Sequence, residues 1–244
     1  QLYQLRERFA AVREDVVATA DLFQTLKLPQ FERETEYIAL RRDDGVYGFI
    51  DGDIVSTDNG RWPASAYQSV TNEYLVPHSS AKHAQNQRES YMVGALARFN
   101  VNHDLLGLKP KATNPYLITV AQVVEIAHCV EEAVQLIDAL LEREIAWEDP
   151  ALPTRQSGEG VGACEVPRGT LFHHYVIEEG QIVGANCIIP TGQNLANIEL
   201  DMKALVPTLL DRTQQQITHA LEMLVRAYDP CISCSTHLLD VRFE

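Results

Sequence analysis

The amino-acid sequence predicts an α+β fold that is mainly helical and forms a single domain over residues 1–244. Residues 3–25 carry apolar side chains at helical spacing. The segment after Asn114-Pro115 repeats apolar residues every three or four positions as far as Leu141, which indicates a second long helix. The β-like regions are short and are separated by glycine-containing turns. We therefore expect a small antiparallel meander and a β-hairpin beside the helices.

The meander is predicted from three short β-like runs in the N-terminal quarter. The runs and the turns between them are 36–41, Asp44-Gly45, 46–50, Asp51-Gly52 and 53–57. Asp-Gly pairs favour the positive φ angles of tight hairpin turns, so each run is expected to pair with the next. Between residues 64 and 108 the pattern predicts helices with irregular joints, one of them over 90–98.

The hairpin is predicted around Glu178-Glu179-Gly180, between the strand-like runs 170–177 and 181–189. In such a pairing Arg168 is expected to face Thr191 across the open end, so that two polar groups from different segments meet. Three further segments follow from composition and periodicity. They are a loop over 149–163, rich in Pro, Gly and Ser, and helices over 197–206 and 211–227.

Composition excludes several classes of partner. Lys and Arg number 20 against 34 Asp and Glu, giving a net charge of −14, and no basic run could follow a phosphate backbone. Nucleic acid is therefore not an expected partner. No stretch approaches the ~20 apolar residues that span a bilayer, and the N-terminus lacks a secretion signal. We expect a cytoplasmic protein without a membrane span. Because the sequence begins with Gln1 inside an amphipathic pattern, we also expect an excerpt of a longer protein.

The five cysteines are odd in number and lie in a chain without an export signal, which favours reduced thiols over disulfides. Cys129 falls in the long predicted helix and is expected to be a small buried residue. Cys164 is interpreted as incidental. Histidines without ligand spacing are expected at the surface or on helices; they are His78, His83, His103, His128 and His219.

The C-terminal stretch from Asp229 to His237 is the most informative for chemistry. Cys231 and Cys234 are three residues apart, with a carboxylate two positions upstream and an imidazole three positions downstream. Thiolates at this spacing can turn toward one metal. Alone, C-x-x-C fits a zinc half-site, a redox pair or a buried pair equally well. A redox dithiol is expected after a strand, whereas this one follows a helix, and no second pair of Cys or His offers the other half of a zinc site.

The motif D-P-C-I-S-C-S-T-H resembles the C-terminal signature of the large subunit of nickel-iron hydrogenases, and the preceding R-A-Y is similar to the cytoplasmic, cofactor-reducing branch. Other segments resemble further motifs of that family in the same order. They are Ser90-Tyr-Met-Val-Gly-Ala-Leu-Ala-Arg98, Glu165-Val-Pro-Arg-Gly-Thr-Leu-Phe-His173 and Ile189-Pro-Thr-Gly-Gln-Asn194. The resemblance covers nearly the whole chain and implies long helices packed around the site.

The resemblance implies a nickel joined to an iron that carries cyanide and carbon monoxide, held by four cysteines. Cys231 matches the terminal nickel ligand and Cys234 the thiolate that bridges both metals. The other implied positions are Arg168 as the guanidinium over the open coordination position, Pro190 and Thr191 beside the cyanides, Asp229 as the carboxylate that orients the guanidinium, and His237 with the main-chain carbonyl of Cys187 at a magnesium or iron site.

The implied activity is reversible heterolytic oxidation of dihydrogen, with electrons passed to iron-sulfur clusters of a small subunit and on to further subunits. The family's first cysteine pair and its proton-relay glutamate have no counterpart here, which suits a C-terminal portion that is inactive alone. Residues 238–244 follow the histidine at which a maturation endopeptidase cuts, so an unprocessed, metal-free precursor is one alternative. A quinone-site subunit of respiratory complex I without nickel is another, and the retained Cys231, Cys234 and Arg168 argue against it. The electron acceptor is not encoded in this chain.

Overall fold

The computed structural model describes residues 1–107, 112–143 and 145–231, which form mainly helices with two small sheets. This confirms the predicted fold class. The helices are α1 (Leu2–Thr25), α2 (Tyr67–Thr71), α3 (Ala95–Asn102), α4 (Ile118–Glu142), α5 (Pro190–Leu205) and α6 (Gln214–Tyr228). The strands are β1 (Glu36–Arg41), β2 (Asp53–Ser56), β3 (Arg61–Trp62), β4 (Tyr91–Met92), β5 (Gly158–Val166), β6 (Gly169–Glu178) and β7 (Gln181–Ile188). None of the helices in these ranges is both long and apolar enough to cross a bilayer.

The two long predicted helices are confirmed as α1 and α4, which pack side by side in opposite directions. Arg13 bonds Glu131 at 2.6 Å, and Arg6 bonds Asp138 further toward the N-terminus of α1. Asn114 begins the approach to α4, because its side chain accepts the amide of Tyr116 at 3.0 Å across a 3₁₀ turn with Pro at its start.

The meander prediction is right for β1 and β2 and wrong for residues 46–50. β1 pairs antiparallel with β2 and parallel with β4, so both of its edges are occupied. Residues 46–50 instead lie over α4, where His128 bonds the carbonyl of Tyr47 at 3.0 Å. At the other end of this run, the carbonyl of Phe49 accepts the amide of Glu165 at 2.7 Å, and Ile50 forms an isolated antiparallel bridge with Cys164 of β5. The third strand of the meander is β3, paired with β2.

The second sheet has the order β5-β6-β7 and contains the predicted hairpin. Glu179 and Gly180 adopt φ angles of 48° and 78°, as a tight hairpin turn requires. The loop predicted over 149–163 is wrong from Gly158 onward, because residues 158–166 form β5 and pair with residues 169–177 of β6. The glycines of β5 give this edge strand a weak sequence signal.

Helix α5 begins seven residues before its predicted start, and α6 begins later than predicted with a capping box at Thr213. A bulge between Val176 and Ile177 changes the hairpin register. Because β7 ends at Ile188, the expected pairing of Arg168 with Thr191 across the hairpin is wrong. Thr191 lies instead in the first turn of α5, and the main core packs beside it, between β1, α3, α5 and α6.

Candidate metal centre

The C-terminal motif begins where α6 ends. Asp229 caps this helix in the left-handed conformation, with φ 50° and ψ 51°. Aspartate adopts this conformation more readily than most residues. Pro230 cannot continue the helix, and the chain turns so that the partly buried Cys231 follows. Cys234 and His237 lie outside the described residues.

The Arg168 side chain reaches the end of α6 from the loop between β5 and β6. Its Nη2 lies 3.0 Å from the Asp229 carboxylate, and its Nε donates to the Asp229 carbonyl. Two bonds from one planar group to one residue fix the direction of the guanidinium. The structure therefore joins two of the predicted site residues, which are 61 positions apart in the sequence.

Thr191 meets the same segment from the other side. The backbone amide of Cys231 donates to the Thr191 hydroxyl oxygen at 3.2 Å. Thr191 and Pro190 form the first turn of α5, so Cys231 lies at a helix N-terminus. Helix N-termini and guanidinium groups both favour nearby negative charge, which is the condition that stabilises a thiolate. An oxygen that accepts one bond can still donate its own proton to an anionic ligand.

Two glycines and one amide hold the loop that carries Arg168. A Cβ atom on Gly169 would lie 2.2 Å from a methyl carbon of Val93, and one on Gly94 would lie 3.0 Å from the Arg168 carbonyl. Both glycines have positive φ angles, 144° and 108°. The Asn194 amide donates to the Arg168 carbonyl at 3.2 Å. Three of the family-like motifs thus meet around Arg168.

A buried ion cluster lies directly behind this loop. Arg98, only 1% exposed, bonds the Glu125 carboxylate and, at 2.8 Å, the Glu165 carboxylate. It also donates to the carbonyls of Val166 and Pro167 at 2.8 and 3.2 Å. Burial lowers the pKa of Arg98, but the two carboxylates outweigh this effect and hold the pKa above its ordinary value. Arg98 is therefore charged and fixes the two residues that precede Arg168.

The end of α6 is anchored to α5 by a second buried network. The Tyr228 hydroxyl donates to Asp201 at 2.5 Å and accepts from Asn197 at 2.8 Å. Burial and the nearby Asp201 carboxylate raise the pKa of Tyr228 well above its ordinary value, so the hydroxyl stays protonated. Arg33 completes the charge balance of Asp201. This network sets the position from which residues 229–231 start.

Cys187, by contrast, belongs to the hairpin. It pairs with His173 between β7 and β6, and its sulfur lies 3.7 Å from His173 Nε2. Partial burial raises the pKa of its thiol. The predicted role of its main-chain carbonyl beside His237 stays a prediction, because His237 is outside the described residues.

Two residues differ from the sequence-based expectation. Cys129 is exposed on α4, because the apolar stripe of that helix turns its other positions inward. His83, expected at the surface or on a helix, is 6% exposed in an irregular segment and lies near His78 and Glu199. The supporting residues Arg98 and Asn194 stand in family-like motifs, yet no local pattern assigned them a role.

Comparisons with known proteins agree with the resemblance seen in the motifs. Residues 106–237 match a family model described as nickel-dependent hydrogenase. Sulfhydrogenase 1 subunit alpha of Pyrococcus furiosus is 32% identical over 237 residues, covering 91% of this chain and 54% of that protein. NAD-reducing hydrogenase HoxS subunit beta of Cupriavidus necator is 33% identical over 177 residues, covering 65% of this chain and 36% of that protein.

The fold also matches a solved structure. An NAD⁺-reducing [NiFe]-hydrogenase in the H₂-reduced state superposes with a TM-score of 0.81 and 25% identity, covering 97% of this chain and 59% of the other. The chain thus spans about half of the length of sulfhydrogenase 1 subunit alpha and about three fifths of this solved chain. The similarity extends over nearly all of the present sequence.

Proposed function

Because this chain belongs to the nickel-dependent hydrogenase family, we propose that it is the C-terminal portion of a large subunit that oxidises dihydrogen reversibly. The observation that carries the proposal is the convergence of Arg168, Thr191 and Asp229 on the residues around Cys231. These four residues come from three different elements, and each matches a position in a family-like motif.

The chemistry of this donor set fits a soft metal with anionic ligands. Thiolate sulfur is the preferred protein ligand for soft metals. The N-terminus of α5 lies beside Cys231 and favours negative charge there. The Arg168 guanidinium, held two residues away at Asp229, is a donor that suits cyanide. The family pattern calls for four thiolates, and this chain offers Cys231 and Cys234 as two of them. Thr191 and Pro190 would line the cyanide positions.

When bound, the nickel–iron centre supplies an acceptor for the electron pair of dihydrogen. The protein then has to receive one proton and keep the site rigid. The contacts with Asp229 fix the direction of the Arg168 guanidinium, which acts as a hydrogen-bond donor. The proton is accepted at Cys231 Sγ. Asp229 holds the Arg168 guanidinium in a fixed direction beside this residue's segment.

The remaining assignments follow the family pattern. His237 and the carbonyl of Cys187 would hold magnesium or iron, and a maturation endopeptidase would remove residues 238–244. Electrons would pass to an iron-sulfur small subunit and to further electron-transfer subunits, in the cytoplasm. The matched proteins reported above are hydrogenases, which favours this interpretation over the complex I subunit.

Metal analysis of the assembled enzyme tests the proposal. We expect stoichiometric nickel, infrared bands of cyanide and carbon monoxide, and dihydrogen-dependent dye reduction. Cys231→Ser should lose nickel and activity together. Cys129→Ser is the matched control, since that thiol is exposed on α4, and it should keep both. A Cys231→Ser enzyme with normal nickel content and normal activity would refute the assignment.

A further inference from the structure

A second group of possible metal ligands lies two helical turns along α5 from the candidate nickel centre. His78, His83 and Glu199 each offer one ligand atom, and these atoms all lie within 4.8 Å of one another. Glu199 follows Thr191 on α5, and at 1.5 Å per residue it is about 12 Å further along the helix axis. The proposed hydrogenase chemistry uses none of these three side chains.

The spacing of the ligand atoms suits one small cation. His78 Nε2 is 3.1 Å from Glu199 Oε2, and His83 Nε2 is 3.9 Å from the same oxygen. Zinc binds histidine nitrogen and carboxylate oxygen at about 2.0–2.2 Å in a tetrahedron, which places neighbouring ligand atoms about 3.4 Å apart. The two measured separations lie on either side of that value, so small side-chain rotations would complete the geometry.

The backbone holds two of the three ligands in place. Glu199 is on α5, and His83 forms a two-way backbone bridge with Tyr74, with N···O distances of 2.9 Å in both directions. The Tyr74 and His83 rings also meet edge to face. His83 is therefore fixed before any ion binds, while the exposed His78 can adjust. Fixed ligands reduce the entropy cost of binding.

The charges near the group leave one carboxylate oxygen directed at the histidines. Lys203 lies 2.6 Å from Glu199 Oε1, whereas Oε2 faces both imidazoles. Lys82 is paired with Glu73 at 2.9 Å. A cation bound at Oε2 would thus share Glu199 with Lys203, which contacts the other oxygen. Lys203 competes for the charge of Glu199 but leaves the ligand position at Oε2 open.

We propose that His78, His83 and Glu199 form a binding site for a zinc-class divalent cation, with water as the fourth ligand. Two imidazoles and one carboxylate are a ligand set that zinc accepts, whereas magnesium and calcium prefer oxygen alone. The site joins the irregular segment of residues 74–83 to α5. None of its three ligands belongs to the proposed nickel centre.

Zinc titration of the assembled enzyme against a chromophoric chelator tests this proposal, after weakly bound ions are removed by dialysis. The unsubstituted enzyme should bind one more zinc ion per chain than the His78→Ala or Glu199→Gln enzyme. If those variants still bind this ion, their affinity should be at least ~100-fold weaker. His219→Ala is the matched control, since His219 is exposed on α6, and its zinc binding should be unchanged. Equal zinc binding by the His78→Ala and His219→Ala enzymes would overturn the proposal.

Two further measurements guard against a misleading loss of structure. Cobalt(II) added in place of zinc should give the intense visible bands of a tetrahedral site, absent in His78→Ala, and an octahedral spectrum would contradict the assignment. Lys203→Met should tighten zinc binding a few-fold, because it removes a cation that competes for Glu199. Weaker binding in that variant would also count against the site. Hydrogenase activity should stay normal throughout, so failure here leaves the proposed function unaffected.

Discussion

Replacement of Arg98 by methionine should be among the most destabilising single changes to this chain. The substitution keeps most of the side-chain volume and removes the charge. Glu165 is fully buried and Glu125 is 11% exposed, so both carboxylates lose their shared cation in a poorly hydrated place. Leaving one buried ion without its partner costs about 3–5 kcal/mol. The carbonyls of Val166 and Pro167 each lose a donor as well, at about 1 kcal/mol.

These costs overlap, because the same guanidinium makes all of the contacts, so we expect a net loss of about 4 kcal/mol in the free energy of unfolding. That is roughly a thousandfold change in the folding equilibrium. Urea unfolding followed by far-ultraviolet circular dichroism measures it. Arg13→Met is the matched control. Its pair with Glu131 is about half exposed on both sides, and its loss should cost less than ~1 kcal/mol.

If Arg98→Met does not fold, a compensating variant still tests the reasoning. The triple change Arg98→Met, Glu125→Gln, Glu165→Gln removes the stranded charges, and buried ion clusters replaced as a whole are often neutral in stability. We therefore expect the triple variant to be more stable than Arg98→Met alone. The reasoning is refuted if Arg98→Met costs no more than the Arg13 control, or if the triple variant is less stable than the single one.

Two other predictions concern charged pairs. Asp229→Asn keeps the helix-ending conformation but weakens the hold on Arg168, so the rate of dihydrogen oxidation should fall about tenfold in enzyme with normal nickel content; an unchanged rate contradicts the orienting role. The hydrogen bond from Arg41 lowers the pKa of Asp104 from 3.8 to about 2. A lowered pKa stabilises the fold above pH 3.8 and loses that effect as the pH falls toward 2. The unsubstituted protein should be more stable than Asp104→Asn by less than ~1 kcal/mol, because Asp104 is half exposed. Urea titrations should show this difference shrinking as the pH falls from 3.8 toward 2. A difference that does not change with pH contradicts the prediction.

The sequence predicted the long helices and the hairpin because their signals are local. α1 and α4 carry helical spacing over many residues, and the hairpin turn has its glycine at Gly180. Residues 46–50 carry the apolar and aromatic residues of a strand, but they place Tyr47 against α4. β5 was missed because pairing with β6, and not the propensity of its glycines, makes it a strand.

The candidate site was predictable only in part for the same reason. Arg168 and Asp229 come together from segments 61 positions apart, and nothing in their local sequence indicates the pairing. Their assignment came from the family resemblance. The residues that hold them, such as Arg98 and Asn194, act through backbone carbonyls. Such contacts leave no periodic trace in a sequence.

Two of the contacts between α5 and the C-terminal segment fix a length in the molecule. Thr191 bonds the amide of Cys231, while Asp201, about 15 Å further along the same helix axis, bonds the Tyr228 hydroxyl. An inserted residue between these two positions would rotate one of them by about 100° relative to the other. If α5 is replaced by the corresponding helix of a related protein, the number of residues between Thr191 and Asp201 therefore has to stay the same.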